Sequence, residues 1–479
     1  MQIPIIQGIY TSENADYRIK YPHNLKPVAL NSGISQGYLR PVDGVRTFDE
    51  VTPPSSAVLT QYAGFDRASI NYLDYCYRLI GDKLFKVDSN GLLYEIDKDP
   101  AITISGIEQT KLDYSFDYLA FCSGGDFFLY NPLGTFPANR IRQNTDADLG
   151  KVIDFIFIDG FWMTTDGKFL VVTELGDPFS VNPLKYGSSE LDPDPIVGLL
   201  KVRDEAYALN RYTVEAFYNK GGNLFPFDRI EGSRMMRGLV GTRAKIEFLG
   251  QIAFLGGGRN EPVSVWIGLN AETQKIATRE IDHIIQSYTE DQLKNVVFEK
   301  RIDLNHKLLM IRLPDQVLCY DYGATEAAGA PVWYTMDYGY QNICWAYDKW
   351  IVGNNSGQVG YLDDSIGTFW DEDLAWDFQT QIIYNESNGA IIHDLELVGL
   401  PGRMEIGATP TIWTSYSNDG EVWSQEWAAS AGSQGNRTKR LKWFQQGGMD
   451  HYRIQRFRGF SDARLSIARL EANLEALIY

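Results

Sequence analysis

The five histidines of this 479-residue chain, His23, His283, His306, His393 and His451, are scattered. None has the His-x-His or His-Glu-x-x-His spacing that puts two imidazoles on one face around a hydrolytic zinc. The four cysteines, Cys76, Cys122, Cys319 and Cys344, form no Cys-x-x-Cys pair. Each sits in an apolar, strand-like run, where a free thiol behaves as a small hydrophobe. Gly256-Gly257-Gly258 follows such a run but lacks the Lys-Ser/Thr of a phosphate loop, so it reads as a turn. No Gly-x-Ser-x-Gly elbow is present. Ser417-Asn418-Asp419-Gly420-Glu421-Val422-Trp423 has the order of an Asp-box, in which Asp and Gly shape a hairpin turn and the aromatic packs beneath it. Glycoside hydrolysis would need two carboxylates facing each other across a sugar. Asp371, Glu372, Asp373 and Asp377 are dense enough to pair by chance. These side chains point to no cofactor, no metal and no active site.

Charge and composition narrow the field further. Forty-four Lys and Arg against 62 Asp and Glu leave a net charge of −18. That balance argues against a surface that grips phosphates throughout, and it suits a passage that must repel a polyanion. Aromatic residues make up 13% of the chain and there are 44 glycines, with short apolar stretches between them. The pattern predicts an all-β fold. No apolar run reaches the length of about 18 residues that a membrane span needs. The first residues, MQIPIIQGIYTSENADYRIKYP, lack the basic start and apolar core of a signal peptide, so synthesis in a cytoplasm is expected.

From about residue 57 to 364 one theme recurs: an apolar run, a Gly, Asp or Asn turn, and another apolar run. Turns are predicted at Asn90-Gly91, Gly124-Gly125, Asp159-Gly160, Asp166-Gly167, Gly256–258 and 354–357. The hairpins return roughly every 35–50 residues, close to the blade length of a β-propeller, and about six or seven blades fit. A short helical insertion interrupts them. Ile281, Ile284, Ile285 and Tyr288 lie on one helical face, and Thr289 with Gln292 forms a capping box for a second short helix. Two apolar runs then meet at Pro314-Asp315, the pattern of a tight hairpin. The predicted division is an N-terminal arm over 1–51, a propeller-like domain over 52–367 and a C-terminal β-domain over 368–479. Within the last, 437–469 holds nine Lys/Arg against two acids, a local excess of seven. That excess suits a solvated basic face, contact with DNA, or pairing with acidic neighbours in a ring.

Two stretches carry a resemblance. IATREIDHIIQSYT at 276–289, followed by KLLMIRLPDQVLCYD at 307–321, resembles the tail hub, or packaged-DNA stabilisation, proteins of lambdoid short-tailed bacteriophages. Asn14-Ala15-Asp16-Tyr17, GYLRP at 37–41 with Gly44, KRLKW at 439–443 and RIQRFR at 453–458 are similar to further segments of that family. The resemblance implies a structural virion component without enzymatic activity. Copies would form a hexameric ring beneath the portal and its adaptor, the head-to-tail connector. The ring would extend the DNA channel, retain packaged DNA, and anchor the tail needle and tailspikes, with duplex passing and no base sequence read. Tyr17, Tyr38, Arg40, Lys439, Arg440, Lys442, Trp443, Arg453, Arg456 and Arg458 are the candidate contacts to a sister subunit or the adaptor. The competing expectation is a propeller-fold phage tail protein that binds or hydrolyses glycans, suggested by the aromatic content and the Asp-box.

Overall fold

The computed structural model describes residues 2–3, 21–29, 37–49, 52–55, 57–189, 193–222, 224–303, 306–385, 388–402, 410–460 and 465–477. Consecutive antiparallel sheets are built from 58–95, 112–143, 154–188, 196–229, 238–275 and 297–337, and a further sheet from 341–363. Numbered in that order as blades 1 to 7, they stand around one axis. The innermost strand of each touches that of the next, and Gln341–Ala346 of blade 7 returns to Asp66–Tyr72 of blade 1. The fold is therefore a closed propeller of seven blades.

Each blade is covered on both faces by its neighbours, which explains why its strands are continuously apolar rather than alternating. Blade 2 shows how the sequence divides itself. Leu119, Phe121, Phe128 and Tyr130 pack with Leu79 and Leu84 of blade 1. Ala120, Phe127 and Leu129 pack with Phe155 and Trp162 of blade 3. Odd and even positions serve opposite interfaces, as the two-residue period of a strand requires. The predicted glycine turns at Gly91, Gly124, Gly125, Gly160 and Gly167 have the positive φ such turns need. The strand Gln251–Gly257 ends within Gly256–258, and the turn begins at Gly258, whose carbonyl accepts from Glu261 N–H at 3.3 Å. Gly256 itself lies in the strand, and a Cβ on it would lie 1.6 Å from the carbonyl oxygen of Gly238. Close backbone approach, not a turn, requires that glycine.

The helical insertion follows its sequence. Thr278 caps Arg279–Gln286, which buries Ile281 and Ile285. Thr289 and Gln292 form the capping box of Glu290–Leu293. His306–Arg312 pairs with Gln316–Asp321 across Pro314-Asp315. A third helix, Tyr322–Ala328, capped by Asp321 and ended by Gly329 at φ 70°, was not anticipated.

The second body is a β-sandwich. One sheet is ordered Leu25–Ala29, Gly37–Pro41, Ser466–Ala476, Ala390–Leu400, Leu441–Phe444; the facing sheet is ordered Ala375–Gln379, Tyr452–Phe460, Thr411–Ser417, Trp427–Ser430. Trp376, Phe378, Leu395, Trp443, Phe457 and Leu470 fill the space between them. Gln2–Ile3 also pairs with Ser466–Ala476, so three described strands of the segment expected as an arm lie in the sandwich. The next strand, Gly44–Thr47, leaves it and pairs with Val359–Asp363 as an outer strand of blade 7.

Between those two destinations lies Asp43, almost wholly buried. Its carboxylate accepts from Lys26 Nζ at 2.8 Å and meets Arg301 Nη1 of blade 6 at 2.7 Å. Burial would raise the carboxyl's pKa, but Lys26 and Arg301 overcome it and hold it well below the ordinary carboxylate range. Close by, His23 exchanges backbone hydrogen bonds with Asp377 of the sandwich, and Asn24 donates to Thr335 of blade 6. A carboxylate depressed in the folded state stabilises fully above its unfolded pKa, about 3.9, and loses that contribution as pH falls below it. Asp43→Asn would leave buried Lys26 without its carboxylate and Arg301 with Asp303 alone. The expected cost is about 3–5 kcal/mol, read in calorimetry as one unfolding transition splitting into two at neutral pH. The wild type should split only below about pH 4. A single unsplit transition in the variant would show that Asp43 does not join the two bodies.

Candidate functional surfaces on the sandwich and the propeller axis

The basic strands of the sandwich are less bare than their composition implies. Arg440 makes a two-pronged contact with Glu396, its Nε donating at 2.6 Å. Lys442 lies 3.4 Å from the same carboxylate and 3.6 Å from Asp394. Arg456 donates to Asp377 at 2.6 Å, and Arg458 grips Glu426 through Nε and Nη2 at 2.6 and 2.7 Å. These bidentate pairs depress Glu396 and Glu426 and raise Arg440 and Arg458. Most of the local positive excess is neutralised by acids that lie outside 437–469 in the sequence.

Two of the candidate contacts are interior. Trp443 is buried in the sandwich core, its indole N–H donating to the Trp427 carbonyl at 3.1 Å. Arg453 is fully buried, bonded to Gln455 Oε1 at 3.0 and 2.8 Å and stacked 3.6 Å from the Tyr416 ring centre. Burial pulls its pKa down to about 10. Both hold the fold from within and present nothing to a neighbour. Tyr38 is half-buried, Lys439 is exposed, and Arg40 donates to Asp364 at 2.8 Å. Tyr17 lies outside the described residues.

The Asp-box residues form a turn. Gly420 N–H donates to Ser417 Oγ at 2.8 Å, and Asp419 Oδ1 accepts from Glu421 and Val422 N–H at 2.9 and 2.8 Å. Those bonds occupy the carboxylate. Cys76, Cys319 and Cys344 are buried and Cys122 is half-buried. Among the described residues no cluster of three or more His, Cys, Asp or Glu is placed to hold a metal.

The propeller axis was not foreseen. Asp154 opens the inner strand of blade 3, Asp154–Ile158. Its Oδ1 accepts from Lys111 Nζ and from Phe155 N–H, both at 2.9 Å. Its Oδ2 accepts from Lys245 Nζ at 2.6 Å and from Leu199 N–H at 2.8 Å. Gly198 makes the approach possible, since a Cβ there would lie 2.4 Å from Lys245 Nζ. Burial opposes ionisation of Asp154, but Lys111 and Lys245 hold its pKa below the ordinary range. Burial pulls Lys245 down to about 8. Lys111 immediately precedes the inner strand of blade 2, Asp154 belongs to blade 3 and Lys245 to blade 5, so the cluster crosses the axial space. A hollow of about 330 Å³ lies at one end, bordered by Glu108, Ser123, Lys151 and Arg243. Another of about 730 Å³ lies at the other, bordered by Tyr114, Phe116, Lys201 and Arg203. No local sequence signal marks this cluster, because its members sit dozens of residues apart on separate blades.

With the fold and these surfaces established, the likeness to known proteins is specific. The tail hub protein gp10 of Salmonella phage P22 is 25% identical over 482 aligned positions, covering 96% of this chain and 95% of that protein. Among solved structures, the N-terminal domain of Nup159 aligns at TM-score 0.40 and 7% identity, over 72% of this chain and 99% of that one. The Neurospora crassa Pan2 WD40 domain aligns at 0.40 and 10% identity, over 70% and 97%. No inference rests on either of these two. The family models described as bacteriophage P22 Gp10, β-propeller, and bacteriophage P22 Gp10, β-sandwich, match residues 1–367 and 375–475. The chain belongs to the bacteriophage P22 Gp10 family through both its propeller and its sandwich.

Proposed function

We propose that the chain is a structural protein of a phage virion, a tail hub or nozzle. Copies close into a hexameric ring below the portal and its adaptor, extend the DNA channel, retain packaged DNA until ejection, and anchor the tail needle and tailspikes. The observation that supports this reading furthest is the match of both family domains, in order, along a chain whose P22 relative is itself a tail hub protein. Synthesis takes place in the host cytoplasm and the working location is the virion tail. The mechanism is steric and needs no active site.

Two physical features agree with it. The propeller axis is crossed by the Lys111–Asp154–Lys245 cluster, and a duplex whose major groove alone is about 12 Å wide cannot thread it. DNA would therefore run between copies, along the ring's own axis. The net charge of −18 and the carboxylates that hold Arg440, Lys442, Arg456 and Arg458 weaken the pull of the sandwich on passing phosphates. Tyr38, Arg40, Lys439 and the outward parts of the paired cations are the proposed contacts to a sister subunit or the adaptor, with Tyr17 added from the sequence.

Mass photometry of the purified protein mixed with its adaptor should show a complex carrying six copies. Single copies that never associate, and that release sugar from host polysaccharide, would replace this reading with the glycan one. In fluorescence anisotropy the wild-type chain should bind duplex DNA no more tightly than an unrelated acidic protein. The double variant Glu396→Gln, Glu426→Gln frees Arg440 and Arg458 and leaves Lys442 with Asp394 alone. It should gain binding with a steeper salt dependence, by about one unit of log–log slope for each phosphate contact won. Tight, salt-sensitive binding by the wild type would contradict a non-adhesive channel.

A further inference from the structure

Arg243 has no partner for its charge. Among the described residues its guanidinium makes no hydrogen bond or ion pair, and its Nε is buried without an acceptor. It borders both axial hollows. The carboxylate that could serve it is already engaged: each oxygen of Asp154 accepts one lysine and one backbone N–H. The other acids nearby are committed too. Glu299 accepts from Arg312 Nε at 2.6 Å, and Glu247 from Gly250 N–H at 2.8 Å as well as from Lys300. Asp113 accepts from Tyr114 N–H at 2.9 Å, and burial raises its pKa towards the neutral acid. Glu108 accepts from Ile107 and Gly124 N–H at 2.9 and 3.1 Å. Three cations, Lys111, Arg243 and Lys245, thus share one carboxylate at the centre of a protein that is acidic overall. Lys201 and Arg203, both exposed, add positive charge at the wider mouth.

A half-buried cation whose Nε lacks an acceptor, set beside two further cations, is relieved by an anion that fits the planar fork of the guanidinium. The geometry points to a binding site for a small oxyanion of the phosphate class in the wider axial hollow. Arg243 is its two-pronged donor, Lys111 and Lys245 supply the field behind it, and Lys201 and Arg203 stand at the entrance. The hollow of about 730 Å³ has room for such an ion with its water. The site requires only one chain and is independent of the tail-hub reading.

Titration calorimetry with inorganic phosphate against the full chain, at constant ionic strength set with chloride, tests this. One saturable site per chain is expected. Arg243→Gln removes the fork and should weaken phosphate binding about tenfold or more. Arg243→Lys, which keeps the charge but not the fork, should bind more weakly than wild type. In phosphate-free buffer Arg243→Gln should unfold no earlier than wild type, because it relieves the repulsion of Lys245 by a neighbouring cation. Should that variant fail to fold, Lys201→Gln with Arg203→Gln at the solvent-exposed mouth gives the same readout and should lower affinity. A nucleoside monophosphate in place of phosphate separates the two sources: tighter binding assigns a phosphoryl group on a larger ligand, and equal or weaker binding a free ion. Absence of saturable binding to wild type, or equal affinity in wild type and Arg243→Gln, would overturn the assignment.

Discussion

A short stretch of chain, 37–47, belongs to two folds at once. Gly37–Pro41 completes a sandwich sheet, Gly44–Thr47 completes the last propeller blade, and Asp43 between them is a buried carboxylate held by Lys26 and Arg301. The rest depends on this arrangement. Blade 7 receives a strand from near the other end of the sequence, which joins first and last turns of the ring as a clasp would, beside the direct packing of blade 7 on blade 1. The same segment ties the sandwich to blade 6, so neither body can rotate freely while Asp43 keeps its charge. Buried ion pairs seldom add net stability. Their effect here is to fix one relative placement, because any other placement would leave a charge buried alone.

The charge layout follows a similar economy. Arg440, Lys442, Arg456 and Arg458 meet carboxylates brought from elsewhere in the sandwich, so the domain is less basic at its surface than its sequence window implies. Among the described residues, Arg453 in the sandwich is buried on Gln455 and Tyr416 with no acid beside it, and in the propeller the Arg243 Nε has no acceptor. Arg453 has its amide and aromatic partners within the core, whereas Arg243 is half-buried and borders two hollows, where an anion could reach it.

Local features of the fold were legible in the sequence, and long-range ones were not. The hairpin at Pro314-Asp315, the capping box of Thr289 and Gln292 and the positive-φ glycines each depend on a few neighbouring residues. The blade number stayed between six and seven because the closing strand is remote from its blade. Gly256 read as a turn because glycine serves close packing and turns alike, and only the position of Gly238 tells them apart. The excess of seven charges in 437–469 was a property of a linear window. Strand pairing brings Glu396, Glu426 and Asp377 to it from outside. Trp443 and Arg453 were chosen by residue type, which does not reveal which face of a strand is the buried one. The axial cluster draws on three blades and left no trace in any local motif.

The central claim is that the propeller is a solid building piece and that the passage for DNA arises from the mutual arrangement of copies. A cryo-EM reconstruction of the assembled tail would test it most directly. The account predicts a six-fold ring with the duplex on its common axis, and side-chain density filling each propeller at Lys111, Asp154 and Lys245. A duplex threaded through the propeller itself, or a particle containing a single copy, would contradict it.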